Sequence, residues 1–234
     1  MKINFFTPLP PAATDIASCV ARSAAPLAEA FDLTFWTDAD RVDSSMRRIA
    51  PVRTFSPGEI DWRALNYADF NIYNVGNDPS FHAAIMEVAH RFPGIVILHD
   101  ACVHELAHGT LQRGAAPIER YLELLRAEGP EALAAGRSVV EGRATLQSIS
   151  ARYPLASWAL QGALAVVTHN GLALRAAMPD LRIPVLETPL PWLPREKMPS
   201  PRSRQIGRKL EMAICGFLNS PNRRLSETLE ALAA

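Results

Sequence analysis

The stretch from Asn71 to His108 constrains the fold of this chain most strongly. Its pattern is a strand, a Gly-Asn turn, a helix, a Pro-Gly break, a buried strand and a second helix: NIYNVGNDPSFHAAIMEVAHRFPGIVILHDACVHELAH. Ile95 to Leu98 form an uninterrupted apolar run after Pro93-Gly94. Such a run is typical of a parallel strand that is covered on both faces. The stretch therefore predicts a parallel α/β sheet.

Polar residues stand at the predicted ends of two of these strands. Asn74 to Asn77 end the first strand, and His99 and Asp100 follow the second. The carboxyl ends of parallel strands border the ligand crevice, so we expect both segments to face one pocket. The asparagine amides suit sugar hydroxyls and also tight turns. By itself, His99 suits a structural role as well as a catalytic one, and Asp100 suits a helix N-cap as well as a reactive carboxylate.

The remaining apolar runs extend the same alternation of strands and helices. Further strands are predicted at Lys2–Phe6, Leu33–Trp36, Val52–Phe55, Ala163–Thr168 and Ile183–Leu186, with a helix beginning at about Thr14 as its N-cap. Residues 1–190 are therefore predicted to form an α/β, Rossmann-like, mostly parallel sheet with helices on both faces. The first loop lacks GxGxxG, so no nicotinamide or flavin cofactor is expected.

Residues from about 117 to 153 break this alternation. Ile118, Tyr121, Leu122 and Leu125 form a helical stripe, and a second helical run follows Gly129-Pro130. We expect a helical insertion between sheet strands. A packed helical hairpin accounts for it, and the alternative is a lid or a face that touches a membrane.

Charge and cysteine content narrow the function classes. The 24 basic and 24 acidic residues cancel, so nothing predicts attraction to nucleic acid. Cys19, Cys102 and Cys215 are far apart, as expected for buried thiols in a reducing compartment. Pro8 interrupts the first apolar run, and the longest apolar tract, Leu155–Val167, is too short to span a bilayer. We therefore expect a cytoplasmic protein.

The last part of the chain has a different composition. Residues 191–205 are rich in proline and arginine and are predicted to be a linker. After it, Leu210–Phe217 is predicted to be a strand and Ser226–Ala233 a helix. Residues 206–234 therefore resemble the start of a second domain.

Five segments together resemble a known family. They are PLPP (8–11), YNVGN (73–77), PGIVILHD (93–100), VVTHN (166–170) and CGFLNSPNRRLSETLEAL (215–232). In this order and spacing they resemble retaining glycosyltransferases of family 4, which have the two-domain GT-B fold. The resemblance implies the amino-terminal, acceptor-side domain, the linker and the first strand–helix unit of the donor-binding domain.

The resemblance also implies a reaction and residue roles. A sugar would pass, with retention, from a nucleotide-diphosphate sugar to a glycan or lipid-linked acceptor, without another cofactor. His99, with Asp100 beside it, would lie next to the donor sugar, and Arg223 or Arg224 would pair with the diphosphate. The other implied substrate-binding candidates are Thr14, Asp15, Asn74, Gly76, Asn77, His82 and His169.

Two features set limits on this expectation. Asp15 stands where the family usually has a glycine, and a carboxylate there repels a diphosphate. By this resemblance, the chain would also hold only the first unit of a donor domain. We therefore expect it to be inactive alone, and to act with a missing donor domain or a second copy.

Two other functions remain open. Residues 104–108 spell HExxH on a predicted helix, which could hold zinc with Glu105 activating a water, as in a metalloprotease. The extended HxxGxxH pattern fails, and a third ligand would have to be Glu119 or Glu123, so no metal is predicted. The other alternative is a non-catalytic module that binds a sugar or a partner.

Overall fold

Seven parallel strands form a single sheet in this computed structural model, which describes residues 1–190 and 225–233. The strands are β1 (Lys2–Phe6), β2 (Asp32–Thr37), β3 (Val52–Thr54), β4 (Phe70–Val75), β5 (Ile95–Leu98), β6 (Ala165–Thr168) and β7 (Val185–Glu187). Their order in the sheet is β3-β2-β1-β4-β5-β6-β7. The predicted α/β, Rossmann-like fold is thus confirmed, with small shifts such as the start of β6 at Ala165 rather than Ala163.

Ten helices are described in the part of the chain that carries the sheet. They are α1 (Asp15–Ala30), α2 (Ser44–Ile49), α3 (Trp62–Asn66), α4 (Pro79–Ala89), α5 (His104–Gln112), α6 (Pro117–Glu128), α7 (Pro130–Val140), α8 (Leu146–Ser150), α9 (Ala156–Ala159) and α10 (Gly171–Ala177). Helices α6 to α8 occupy the stretch predicted as a helical insertion. Helix α9 lies beyond it, so the helical segment between β5 and β6 is longer than predicted.

The sheet is covered on both faces because successive strand residues point in opposite directions. Phe5 packs on one face with α1 and α2, in a core that includes Val20 and Met46. Phe6 packs on the other face, in the core that also contains Met86 of α4 and Leu106 of α5. These two apolar layers hold the carboxyl ends of the strands in fixed positions.

The start of α1 follows the sequence prediction. Thr14 is its N-cap, and its hydroxyl oxygen accepts a hydrogen bond from the main-chain N–H of Ile16 at 3.2 Å. Asp15 lies in the first helical turn, where a negative charge is favourable next to the positive end of the helix dipole.

Of the two roles that the sequence left open for Asp100, the structure excludes that of N-cap for the helix after β5. Helix α5 begins at His104, its N-cap position is Val103, and no side chain caps it. The main-chain N–H of Val103 instead donates to the carbonyl of Pro154 at 2.8 Å. This bond joins Val103 to the loop between α8 and α9, and α5 begins at the next residue.

The chain divides into two compact units, Met1–Leu193 and Pro194–Ala234. In the second unit, α11 (Leu225–Ala233) matches the predicted terminal helix. The predicted linker 191–205 and strand 210–217, together with Cys215, Arg223 and Arg224, lie outside the described residues. None of the helices that are described is both long and apolar enough to cross a membrane.

Candidate functional site

The strand order predicts a ligand crevice at the carboxyl edge of the sheet. The chain leaves β1 toward β2 on one side, whereas β4 pairs with β1 on the other side. Ligands of open α/β sheets bind where the strand order reverses in this way. Thr7 follows β1 here, Gly76 and Asn77 follow β4, and His99 follows the neighbouring β5. The main-chain N–H of His99 donates to the carbonyl of Val75 at 2.9 Å.

The His99 side chain is held by a hydrogen bond to a side chain of the neighbouring strand β4. Its Nε2 lies 2.7 Å from the side-chain oxygen Oδ1 of Asn74. Burial lowers the pKa of His99 from 6.5 to about 4, with smaller contributions from His169 and His82. The imidazole is therefore neutral near pH 7. A neutral ring can exchange hydrogen bonds with a ligand but carries no positive charge to offer it.

Asn74 is part of the interior rather than an open binding surface. Its side chain is 3% exposed, and its amide nitrogen donates to the hydroxyl oxygen of Thr7 at 3.1 Å. Thr7 is itself 0% exposed and donates to the carbonyl of Pro8 at 3.2 Å. Both ends of the Asn74 amide are thus engaged within the protein. Thr7 was not among the residues predicted from the sequence, although a hydroxyl residue directly after the first strand was the available signal.

His82 and Gly76 lie where three elements meet. His82, on α4, is 1% exposed and donates its Nδ1 hydrogen to the main-chain carbonyl of Asn74 at 3.1 Å. Burial lowers the pKa of His82 to about 4. A Cβ atom on Gly76 would lie 2.8 Å from the Cδ1 of Ile16 and 3.1 Å from the Nε2 of His82. A larger residue there would have to displace the end of the Ile16 side chain and would crowd the His82 ring.

His169 comes from the strand next to β5 and faces His99. The two ring centroids are 4.8 Å apart, with the planes at 52°. His169 donates its Nδ1 hydrogen to the carbonyl of Thr188 at 2.8 Å, which orients its ring. The structure therefore brings together two histidines that the sequence placed 70 residues apart, as the difference 169 − 99 shows.

Asn77 joins the loop after β4 to the start of α5. Its main-chain N–H donates to Asp100 Oδ2 at 3.1 Å, and its amide nitrogen donates to Glu105 Oε2 at 2.7 Å. Its side-chain oxygen accepts from the main-chain N–H of Leu106 at 3.2 Å. Asn77 thereby fixes the positions of two carboxylates at this edge of the sheet.

The remaining predicted residues divide into two groups. Thr14 and Asp15 begin α1, and the contact of the neighbouring Ile16 with Gly76 places that helix start beside the loop after β4. Arg223 and Arg224 belong to the residues that are not described.

The HExxH residues are engaged in packing contacts. His104 is 0% exposed, with Nδ1 2.5 Å from the carbonyl of Tyr153 and Nε2 2.8 Å from the hydroxyl of Tyr121. The ring of His108 meets the ring of Tyr121 edge to face at 4.9 Å. Zinc binding by His104 would require the loss of one of its buried hydrogen bonds. Over residues 1–190 and 225–233, no three His, Cys, Asp or Glu side chains are grouped to hold a metal.

The fold and the crevice define a Rossmann-like α/β domain with a candidate ligand site at the carboxyl edge of β1, β4, β5 and β6. No family model, no curated protein and no solved structure gives a significant match to this chain.

Proposed function

We propose that the chain is the acceptor-side part of a retaining glycosyltransferase that uses a nucleotide-diphosphate sugar, with a glycan or lipid-linked acceptor. The observation that carries this proposal is His99. It is a neutral imidazole at the end of a central strand, fixed by Asn74 and facing His169 at the crevice where α/β sheets bind ligands. The resemblance of the segments around these residues to family 4 glycosyltransferases is the reason for proposing sugar transfer with retention.

The chemistry of His99 suits recognition of a sugar. A neutral imidazole that is fixed in orientation can form a directional hydrogen bond with a hydroxyl of the transferred sugar. If that bond is stronger in the transition state than in the bound substrate, it accelerates the transfer. His99 is unsuited to neutralise the leaving diphosphate, because its low pKa keeps it uncharged near pH 7.

The diphosphate needs positive charge from elsewhere. Stabilisation of a leaving phosphate relies on cations and oriented N–H groups. The crevice residues identified above carry the carboxylates of Asp15, Asp100 and Glu105 but no lysine or arginine. In the proposed enzyme this role falls to Arg223 or Arg224. We therefore expect the described crevice to bind nucleotide sugars more weakly than micromolar.

Side-chain NMR of the six histidines tests this proposal on the full chain. The protein is titrated with UDP-glucose, GDP-mannose and methyl glucoside, at concentrations suited to a Kd of about 1 mM. We expect saturable shifts of the His99 and His169 signals, with little change at His90 and His108, which lie on other elements. The His99→Gln variant should lose the response, whereas His108→Gln should keep it. Equal shifts at all histidines, or none at His99 and His169, would contradict the proposal.

A further inference from the structure

A chain of hydrogen bonds runs from the loop after β1 to His99. The carbonyl of Pro8 accepts from the Thr7 hydroxyl at 3.2 Å, and the hydroxyl oxygen of Thr7 accepts from the amide nitrogen of Asn74 at 3.1 Å. The side-chain oxygen of Asn74 lies 2.7 Å from Nε2 of His99. These hydrogen bonds thus link a residue in the interior to the partly buried His99 ring at the carboxyl edge of the sheet.

The carbonyl of Pro8 determines which atom donates in each of these hydrogen bonds. A carbonyl can only accept, and Pro8 is buried. Within the described part of the protein, the Thr7 hydroxyl is the one donor to the Pro8 carbonyl. If the Asn74 amide were flipped, the Thr7 hydroxyl would have to donate to Asn74 Oδ1. The Pro8 carbonyl would then be left unpaired, which is costly for a buried acceptor.

We propose that Thr7, acting through Asn74, holds His99 as the Nε2–H tautomer, so that its Nδ1 nitrogen is left to accept a hydrogen bond from a ligand hydroxyl. Asn74 Oδ1 can only accept, so the hydrogen of His99 must sit on Nε2. Nδ1 of His99 has no hydrogen-bond partner among residues 1–190 and 225–233. Thr7 and Asn74 are positioning residues, since they act on the ligand only through His99.

This tautomer has a consequence for specificity. A bare Nδ1 accepts from a hydroxyl or an N–H group, and it repels the lone pairs of a phosphate or carboxylate oxygen. His99 therefore selects the hydroxylated part of a ligand and not its anionic part. This selection rests on the proposed function, whereas the tautomer follows from the hydrogen-bond chain alone.

Long-range proton–nitrogen NMR of the labelled full chain, without ligand, tests the tautomer directly. The two tautomers give different cross-peak patterns, and the His99 signals are assigned by their loss in His99→Gln. His82 and His169 serve as internal references, because each donates through Nδ1 to a carbonyl and must be the Nδ1–H tautomer. We expect His99 to show the opposite, Nε2–H pattern near pH 7.

Two variants of the buried threonine separate positioning from packing. Thr7→Val keeps the shape of the side chain but removes the hydroxyl that orients Asn74. We expect the Nε2–H to Nδ1–H ratio of His99 to fall about tenfold or more in Thr7→Val, and to stay unchanged in Thr7→Ser.

The inference is overturned if wild-type His99 is the Nδ1–H tautomer, a result that needs no variant to fold. It is also overturned if Thr7→Val leaves the ratio as in the wild type. An Nε2–H ring that fails to respond to any sugar would instead count against the proposed function alone.

Discussion

Protonation of His82 should couple the stability of this protein to pH. The ring is 1% exposed, and its pKa falls from 6.5 to about 4 because burial disfavours the charged form. The neutral ring is therefore favoured in the folded protein, and its contribution to stability is fully present above pH 6.5. As the pH falls from 6.5 to about 4, His82 becomes protonated in the unfolded chain but stays neutral in the folded protein. The free energy of unfolding therefore decreases over this range.

The size of this loss follows from the pKa difference. A shift of 6.5 − 4, or about 2.5 units, corresponds to about 3 kcal/mol at 1.36 kcal/mol per unit. A stability of only about 5–15 kcal/mol is usual for a folded domain, so this is a large fraction of the total. The slope contributed by one group cannot exceed about 1.4 kcal/mol per pH unit.

Urea unfolding of the wild type and of His82→Asn, followed by circular dichroism, measures the effect. An asparagine amide can take the place of Nδ1 as a donor to the Asn74 carbonyl, but it does not titrate. The substitution changes the packing energy by an amount that does not depend on pH. The other titrating groups are the same in both proteins. The difference in unfolding free energy should therefore shrink by about 3 kcal/mol between about pH 7 and pH 4.

The same comparison can refute the reasoning. If the difference between the two proteins stays within about 0.5 kcal/mol over this pH range, His82 is not held neutral by burial. His108→Asn serves as a control, since His108, on α5, is less buried than His82. It should show a smaller pH-dependent difference.

Three further predictions concern single residues. Gly94→Ala should destabilise the protein by about 1–3 kcal/mol in urea unfolding, because the new Cβ would meet the main-chain carbonyl of Asn71 on β4; wild-type stability would show that β4 and β5 can move apart. Thr14→Ala should cost about 1 kcal/mol through loss of the α1 cap, and Thr14→Ser should cost less; equal losses would point to packing instead. Elemental analysis of protein purified without chelator should find no stoichiometric zinc, whereas one zinc per chain that is lost in His108→Ala would favour the metalloprotease.

The strands could be predicted from the sequence because short segments that contain apolar residues alternate with turn residues and helices. The Ile95–Leu98 run gave β5 with the bounds that the structure has. The cap of α1 at Thr14 was also predictable, since capping depends on residues within a few positions of each other. Residues close together in the sequence were sufficient to predict both the bounds of β5 and the N-cap of α1.

The sequence left a helix N-cap open as one of two roles for Asp100, and the tertiary structure excludes that role. Helix α5 begins directly after Val103, whose main-chain N–H donates to the carbonyl of Pro154, a residue far away in the sequence. The roles of the HExxH histidines likewise depend on Tyr121 and Tyr153, which nothing in the motif specifies. A motif indicates which atoms could bind a metal, but the surrounding side chains decide whether those atoms remain available.

By itself, the sequence determined that His99 and Asn77 follow strands and must therefore reach one edge of a parallel sheet. Strand periodicity and turn residues contain that information, because they act between neighbours along the chain. Only the tertiary structure decided that Asn74 joins Thr7, 67 positions away, to His99. A hydrogen bond requires its two atoms to lie within about 3 Å, and that distance is set by how the strands pair and how both faces of the sheet pack.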